Sequence, residues 1–237
     1  MIIQGVTLRN INVYDASFNS NGALLYVDAG NTASYPGSGT TWTGLSNNAS
    51  NATLVGSPTF TSAGVASYFT FSGTGAQYAS TTASKFNTTY TGKTVFVAAR
   101  MTAFTTGTYR CMFGTNSGAR NFNTYIYSPS LGVYQIHYSA GGVGGLSNNL
   151  SLTTNQWFIG AVTHTTGGLV TYYFNGQAVG TNTSVTFAQY VANGGEFVAL
   201  GDNYWYGDIG VCAVYGQALT ANEITQNYTA IRNRYGI

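Results

Sequence analysis

Carboxylates are the residues best placed to do chemistry in this chain, and there are six: Asp15, Asp28, Glu196, Asp202, Asp208 and Glu223. Hydrolysis of a glycosidic bond needs two of them about 5–9 Å apart across the scissile bond. Glu196 with Asp202 is the one pair worth weighing. Glu223 has another task, because it stands three residues after Thr220 and closes a capping box. The two histidines, His137 and His164, lie in strand-like runs with no nucleophile motif nearby. Gly-x-Ser-x-Gly, His-Glu-x-x-His and Walker sequences are absent. The run Gly141-Gly142-Val143-Gly144-Gly145 has no lysine and no following helix, so it reads as a surface loop and not a phosphate cradle. Catalysis is not expected.

Binding chemistry is better represented. Tyr204, Trp205 and Tyr206 are consecutive aromatics between strand-like runs, and strand alternation cannot bury all three on one face. Such rings stack on sugars or anchor a protein partner. The alternative is that they fill the rim of the core. Tyr125 with Tyr127, and Tyr134 with Tyr138, have the period of a stripe on one sheet face. That stripe reads equally as a glycan platform, an inter-subunit patch or simple β-propensity. Trp42 reads as core. Asp202, Asp208 and backbone carbonyls offer oxygens for a cation, and the alternative is that Asp202 caps its own turn. No dense acidic cluster exists, so no metal and no cofactor is expected. Cys111 and Cys212 sit in apolar runs and read as buried thiols.

The elements that must position these residues are almost all strands. Short β-branched and aromatic runs alternate with Gly/Asn/Ser/Thr turns, the pattern of a β-sandwich or jelly roll. Residues 22–27, 94–100, 156–164, 169–174 and 208–215 are the clearest runs. Asn175-Gly176 between two of them signals a type I′ hairpin. In the last run Val211, Ala213 and Tyr215 share one face, with Cys212 and Val214 on the other. One helix is predicted near 220–232, capped by Thr220 and Glu223, with Ile224, Tyr228 and Ile231 at helical spacing. It is expected to end near Arg232 to Arg234, whose charges would complement the dipole at its C-terminus.

The composition narrows the class. Of 237 residues 6% are charged, and the formal net charge is +2. The eight basic residues are scattered, which argues against nucleic acid. No stretch is apolar and long enough to span a membrane as a helix. Nineteen Tyr and thirteen Phe make disorder improbable on composition. A surface kept soluble by Asn, Gln, Ser and Thr barely repels its own copies, which suits a fibre, coat or extracellular protein.

The order of motifs resembles laminin-G-like, concanavalin A-like jelly-roll domains. The matching stretches begin with Tyr26-Val27-Asp28-Ala29-Gly30-Asn31 and the turn from Ser34 to Ser46 around Trp42. Asn51-Ala52-Thr53-Leu54 with Gly56-Ser57-Pro58-Thr59-Phe60, the Phe69–Gly73 stretch, the Trp157 strand and the Tyr172–Gln177 hairpin follow in order. Val214 to Ile224 is similar to the family's closing V-x-x-Y-N-R-A-L-T-x-x-E-I. Relatives often carry acidic residues after the Phe69–Phe71 strand, where this chain has Ser72, Thr74, Gly75 and Ala76. The Glu-x-Asp-x-x-Glu strand of jelly-roll glycosidases is also missing.

The resemblance implies an all-β, concanavalin A-like sandwich of two antiparallel sheets with a short C-terminal helix. Residues 22–237 would form the jelly roll, and residues 1–21 an N-terminal arm or edge strand. Such domains are common in bacteriophage and bacterial surface proteins. With no export signal read at Met1–Gly5, the expectation is a non-enzymatic virion structural protein: a capsid decoration, fibre or tail component. Its partners would be other virion proteins and copies of itself. The alternative is an adhesion module recognising cell-surface glycans, with Tyr204, Trp205 and Tyr206 as the contact.

Overall fold

Alternation of side chains along a strand sends odd and even residues to opposite faces, so two stacked sheets produce one shared core. A computed structural model shows that arrangement; it describes residues 17–47, 49–73, 76–82, 86, 89–115, 122–140, 142–187, 197–200 and 205–237. The strands in chain order are β1 (Ala23–Asp28), β2 (Thr41–Trp42), β3 (Ala52–Val55), β4 (Thr59–Thr61), β5 (Tyr68–Ser72) and β6 (Tyr78–Thr82). Next come β7 (Gly92–Met101), β8 (Tyr109–Thr115), β9 (Asn123–Ser130), β10 (Val133–Ala140) and β11 (Val143–Leu146). Then follow β12 (Trp157–Thr165), β13 (Val170–Phe174), β14 (Gln177–Asn182), β15 (Phe197–Leu200), β16 (Tyr206–Tyr215) and the helix α1 (Ala221–Ile231).

Among the described residues the strands form two eight-stranded sheets, paired antiparallel throughout. The first runs β14-β13-β12-β7-β16-β5-β4, with β1 also paired to β16. The second runs β11-β10-β9-β8-β15-β6-β3-β2. The core lies between them. Val95, Val97, Ala99 and Met101 of β7 face Phe113, Ile126, Ile136 and Tyr138 of the second sheet within one buried cluster. Asn175 and Gly176 turn the β13–β14 hairpin with φ of 47° and 77°, as a type I′ turn requires.

The first sheet is buried on its other face as well. Phe96, Ala98, Ile159, Val211, Ala213 and Tyr215 point away from the shared core into a second cluster beneath α1. This explains why β7 and β16 read as nearly continuous apolar runs. The face assignments in residues 211–215 match the sequence expectation, with a bulge at Gly210.

The helix begins as its motif predicts. Glu223 N donates to Thr220 Oγ1 at 3.3 Å, and Thr220 N donates to Glu223 Oε2 at 2.8 Å. Its end differs from expectation. Arg232 and Arg234 do not sit in the last turn of α1; they lie in a 3-10 turn, Arg232–Tyr235, closed by Gly236 at φ 70°. Arg234 there pairs with buried Asp28 instead of serving the helix dipole.

Residues 1–16 of the expected arm lie outside the described residues. Residues 17–21 are part of the domain's packing. Phe18 stacks on Tyr26 at 4.5 Å, and Asn19 N donates to Asn227 Oδ1 at 2.6 Å. Tyr215 Oη donates to the Asn19 carbonyl at 2.6 Å. Among the described residues no helix is long and apolar enough to cross a membrane.

Candidate functional site

The outer face of the second sheet carries a group of rings that the core does not need. Residues directly opposite in an antiparallel pair share a face. Tyr109 of β8 is opposite Tyr127 of β9, and Tyr127 is opposite Gln135 of β10. In the next row Tyr125 is opposite His137, which is opposite Leu146 of β11. Ile126, Ile136 and Tyr138 occupy the alternate positions and fill the core. The parity of β9 and β10 therefore sends Tyr125, Tyr127, Gln135 and His137 outward together.

The rings are packed against one another. Tyr109 stacks on Tyr127 with centroids 4.4 Å apart and planes 18° from parallel. His137 stands edge-on to Tyr109 at 5.0 Å and lies 5.7 Å from Tyr125. Asn123 Nδ2 donates to Tyr125 Oη at 2.5 Å, and Gln135 Nε2 donates to the Ser147 carbonyl at 2.9 Å. A Cβ at Gly144 would fall 2.3 Å from His137 Nε2, so only glycine lets the imidazole lie over β11. Tyr109 is 44% exposed and Leu146 38%, while Tyr127 and His137 are half-buried. Partial burial, then the neighbouring Tyr127, pushes the Tyr109 phenol above its ordinary value, so it stays uncharged at neutral pH. The result is a pre-packed aromatic surface edged by amide groups, suited to stacking on a flat, weakly polar ligand.

The stripe read from sequence is thus half right. Tyr125 and Tyr127 stand on this face. Tyr138 is in the core, its hydroxyl 3.3 Å from His164 Nδ1, and Tyr134 packs edge-on against Phe104 at 4.9 Å. Both have the wrong parity for the outer face. Tyr109 and His137 were missed as members; their membership follows from the β8–β9 register, which sequence periodicity does not carry.

The aromatic triplet separates. Trp205 is 0% exposed and lies 6.4 Å from the Phe158 ring, so it is a core residue and not a contact. It ends the connection into β16 with its ring turned between the sheets, where burying a large indole is most favourable. Tyr206 is 39% exposed on the outer face of the first sheet. Tyr204 lies outside the described residues. Trp42 is core, as expected, 4.8 Å from Phe69.

Each described carboxylate has a structural partner. Asp28 pairs with Arg234, Asp208 with Arg100 and Thr70, and Glu223 caps α1. Asp15, Glu196 and Asp202 lie outside the described residues. No group of three or more His, Cys, Asp or Glu among the described residues is arranged to hold a metal. Cys111 and Cys212 are buried and not joined in a disulfide, and burial pushes the Cys212 thiol well above its ordinary range.

A family model described as the concanavalin A-like lectin/glucanases superfamily matches residues 71–225. No curated protein sequence matches the chain. Among solved structures, the binding domain of Paraclostridial Mosquitocidal Protein 1 is similar with a TM-score of 0.66 at 12% identity, over 92% of this chain and 55% of that one. The receptor binding domain of the botulinum neurotoxin C/D mosaic serotype has a TM-score of 0.66 at 11% identity, over 89% and 51%. Domain 4 of AbnA, a GH43 extracellular arabinanase from Geobacillus stearothermophilus solved with arabinotriose, has a TM-score of 0.59 at 17% identity, over 87% and 98%. The chain spans about half the length of the toxin binding domains that it matches. At these identities the likeness is one of fold.

Proposed function

Because the chain belongs to the concanavalin A-like lectin/glucanases superfamily, we propose that it is a non-enzymatic carbohydrate-binding module whose contact surface is the outer face of β8–β11. One observation carries this reading: Tyr109, Tyr127 and His137 are packed together where the core has no use for them, with Tyr109 the most exposed ring. Sugar rings present C–H faces that stack on such rings, and hydroxyls that pair with amides at their edge. Support also comes from fold neighbours solved with sugars, the AbnA domain with arabinotriose and a botulinum neurotoxin binding domain with SialylT. Absence of catalysis is part of the proposal, since the described carboxylates are committed to an ion pair or a cap. A glycan array probed with the protein and with Tyr109→Ala tests it. Binding that the substitution abolishes supports the platform. Binding to no glycan, or turnover of any glycan, contradicts the proposal.

A second reading concerns where the module works. Only 6% of residues are charged, and the surface is built from Ser, Thr, Asn and Gly. Copies of such a surface pack closely without burying unpaired charge. This favours a virion component of a bacteriophage, a decoration, fibre or tail protein whose partners are other virion proteins and further copies of itself. Mass spectrometry of purified particles checks it: the protein at stoichiometric level supports a structural role, and its absence removes that role.

A further inference from the structure

The outer face of the first sheet holds a second feature, at the end that α1 leaves uncovered. Trp157, Arg100, Asp208 and Thr70 form one row across β12, β7, β16 and β5, each opposite the next. Asp208 accepts from Arg100 Nε at 2.6 Å and from Thr70 Oγ1 at 2.5 Å. Its side chain is 5% exposed, whereas that of Arg100 is 29% exposed. The carboxylate therefore lies beneath, and the guanidinium is the part that solvent meets.

The guanidinium is held by rings as well. Its Cζ lies 5.1 Å from the Tyr68 centroid and 5.3 Å from that of Trp157, and Trp157 is backed by Tyr235 at 4.3 Å. Tyr206 stands on the same face, two residues before Asp208, about 7 Å along the strand. At 39% exposure it is the most open ring here. A Cβ at Gly73 would lie 2.8 Å from the Tyr206 Cβ, so glycine makes the room for that side chain.

We infer that this patch is a second binding site, for a sugar bearing a single carboxylate, with Arg100 taking the carboxylate and Tyr206 stacking on the ring. A planar guanidinium fixed by Asp208 and flanked by aromatics has lost little freedom still to be lost, and its geometry matches a carboxylate's two oxygens. The nearby Asp208 makes the site neutral overall, which disfavours a doubly charged phosphate and leaves stacking to supply the rest. This site lies on the opposite sheet from the Tyr109 platform and does not depend on it.

The test uses tryptophan fluorescence. Of the three tryptophans, Trp42 and Trp205 are fully buried, so acrylamide reaches Trp157. Galacturonic acid, with one carboxylate on one ring, should protect Trp157 from quenching, and galactose, its carboxyl-reduced counterpart, should bind about tenfold more weakly. Tyr206→Ala, a surface change, should weaken the acidic sugar several-fold; Arg100→Gln should abolish its preference over the reduced form. Absence of protection at millimolar sugar overturns the inference, as does equal protection by both sugars. A glycan that binds at Tyr109 leaves Trp157 quenching unchanged, so the platform and this site fail or succeed separately.

Discussion

Arg234 Nη1 donates to Asp28 Oδ2 at 2.5 Å, which ties the turn after the only helix among the described residues to the first strand of the domain. The Asp28 side chain is 0% exposed and that of Arg234 is 7%. Burial pushes the Asp28 carboxyl up, and Arg234 offsets part of that push. Removing one partner would leave the other charge buried without compensation. Arg234→Ala should therefore cost about 3–5 kcal/mol, read as a lower urea midpoint. The double change Asp28→Asn with Arg234→Met should recover much of that loss. A single variant as stable as the parent would show that the pair carries little.

His164 sets a second expectation. Its ring is fully buried between the sheets, near the Tyr138 hydroxyl and opposite Lys93 in the β7–β12 ladder. Burial pushes its pKa down to about 4, the Lys93 charge adds to the fall, and the Val185 backbone opposes it. In the unfolded chain the imidazole takes up a proton near its ordinary 6.5. Between those values the unfolded state binds more protons, so stability from this group is complete above 6.5 and is lost as pH falls toward 4. The slope is at most about 1.4 kcal/mol per pH unit. Urea midpoints at neutral and mildly acid pH should fall more steeply for the parent than for His164→Gln. Parallel profiles would contradict this.

Gly144 gives a third. Replacing it with Ala drives a methyl group into the His137 imidazole, 2.3 Å from Nε2. The ring has a half-exposed side to turn toward, so stability should change by about 1 kcal/mol or less. Glycan affinity should fall several-fold, because the imidazole leaves its place beside Tyr109. Calorimetric titration beside a melting curve separates the two effects. Unchanged affinity would remove His137 from the site.

Much of this fold was legible because it rests on local signals. The capping box of Thr220 and Glu223, the Asn175-Gly176 turn and the two faces of residues 211–215 are each set by a few neighbouring residues. The contact site was less so. Trp205 in a polar stretch reads as a loop aromatic, yet a buried indole position just before β16 claimed it. The stripe needed the register between β8, β9 and β10, a long-range property that places Tyr109 beside Tyr127. Arg234 reads as a helix-end cation until the fold brings Asp28 within reach.

The central claim is that sugar binds on the outer face of β8–β11. Titrating the strongest neutral glycan of the array into isotope-labelled protein, and following backbone amide shifts, addresses it most directly. The account predicts perturbations centred on Tyr109, Tyr127 and His137, saturating together and vanishing in Tyr109→Ala. Saturable perturbations confined to other strands, or none at millimolar glycan, would contradict it.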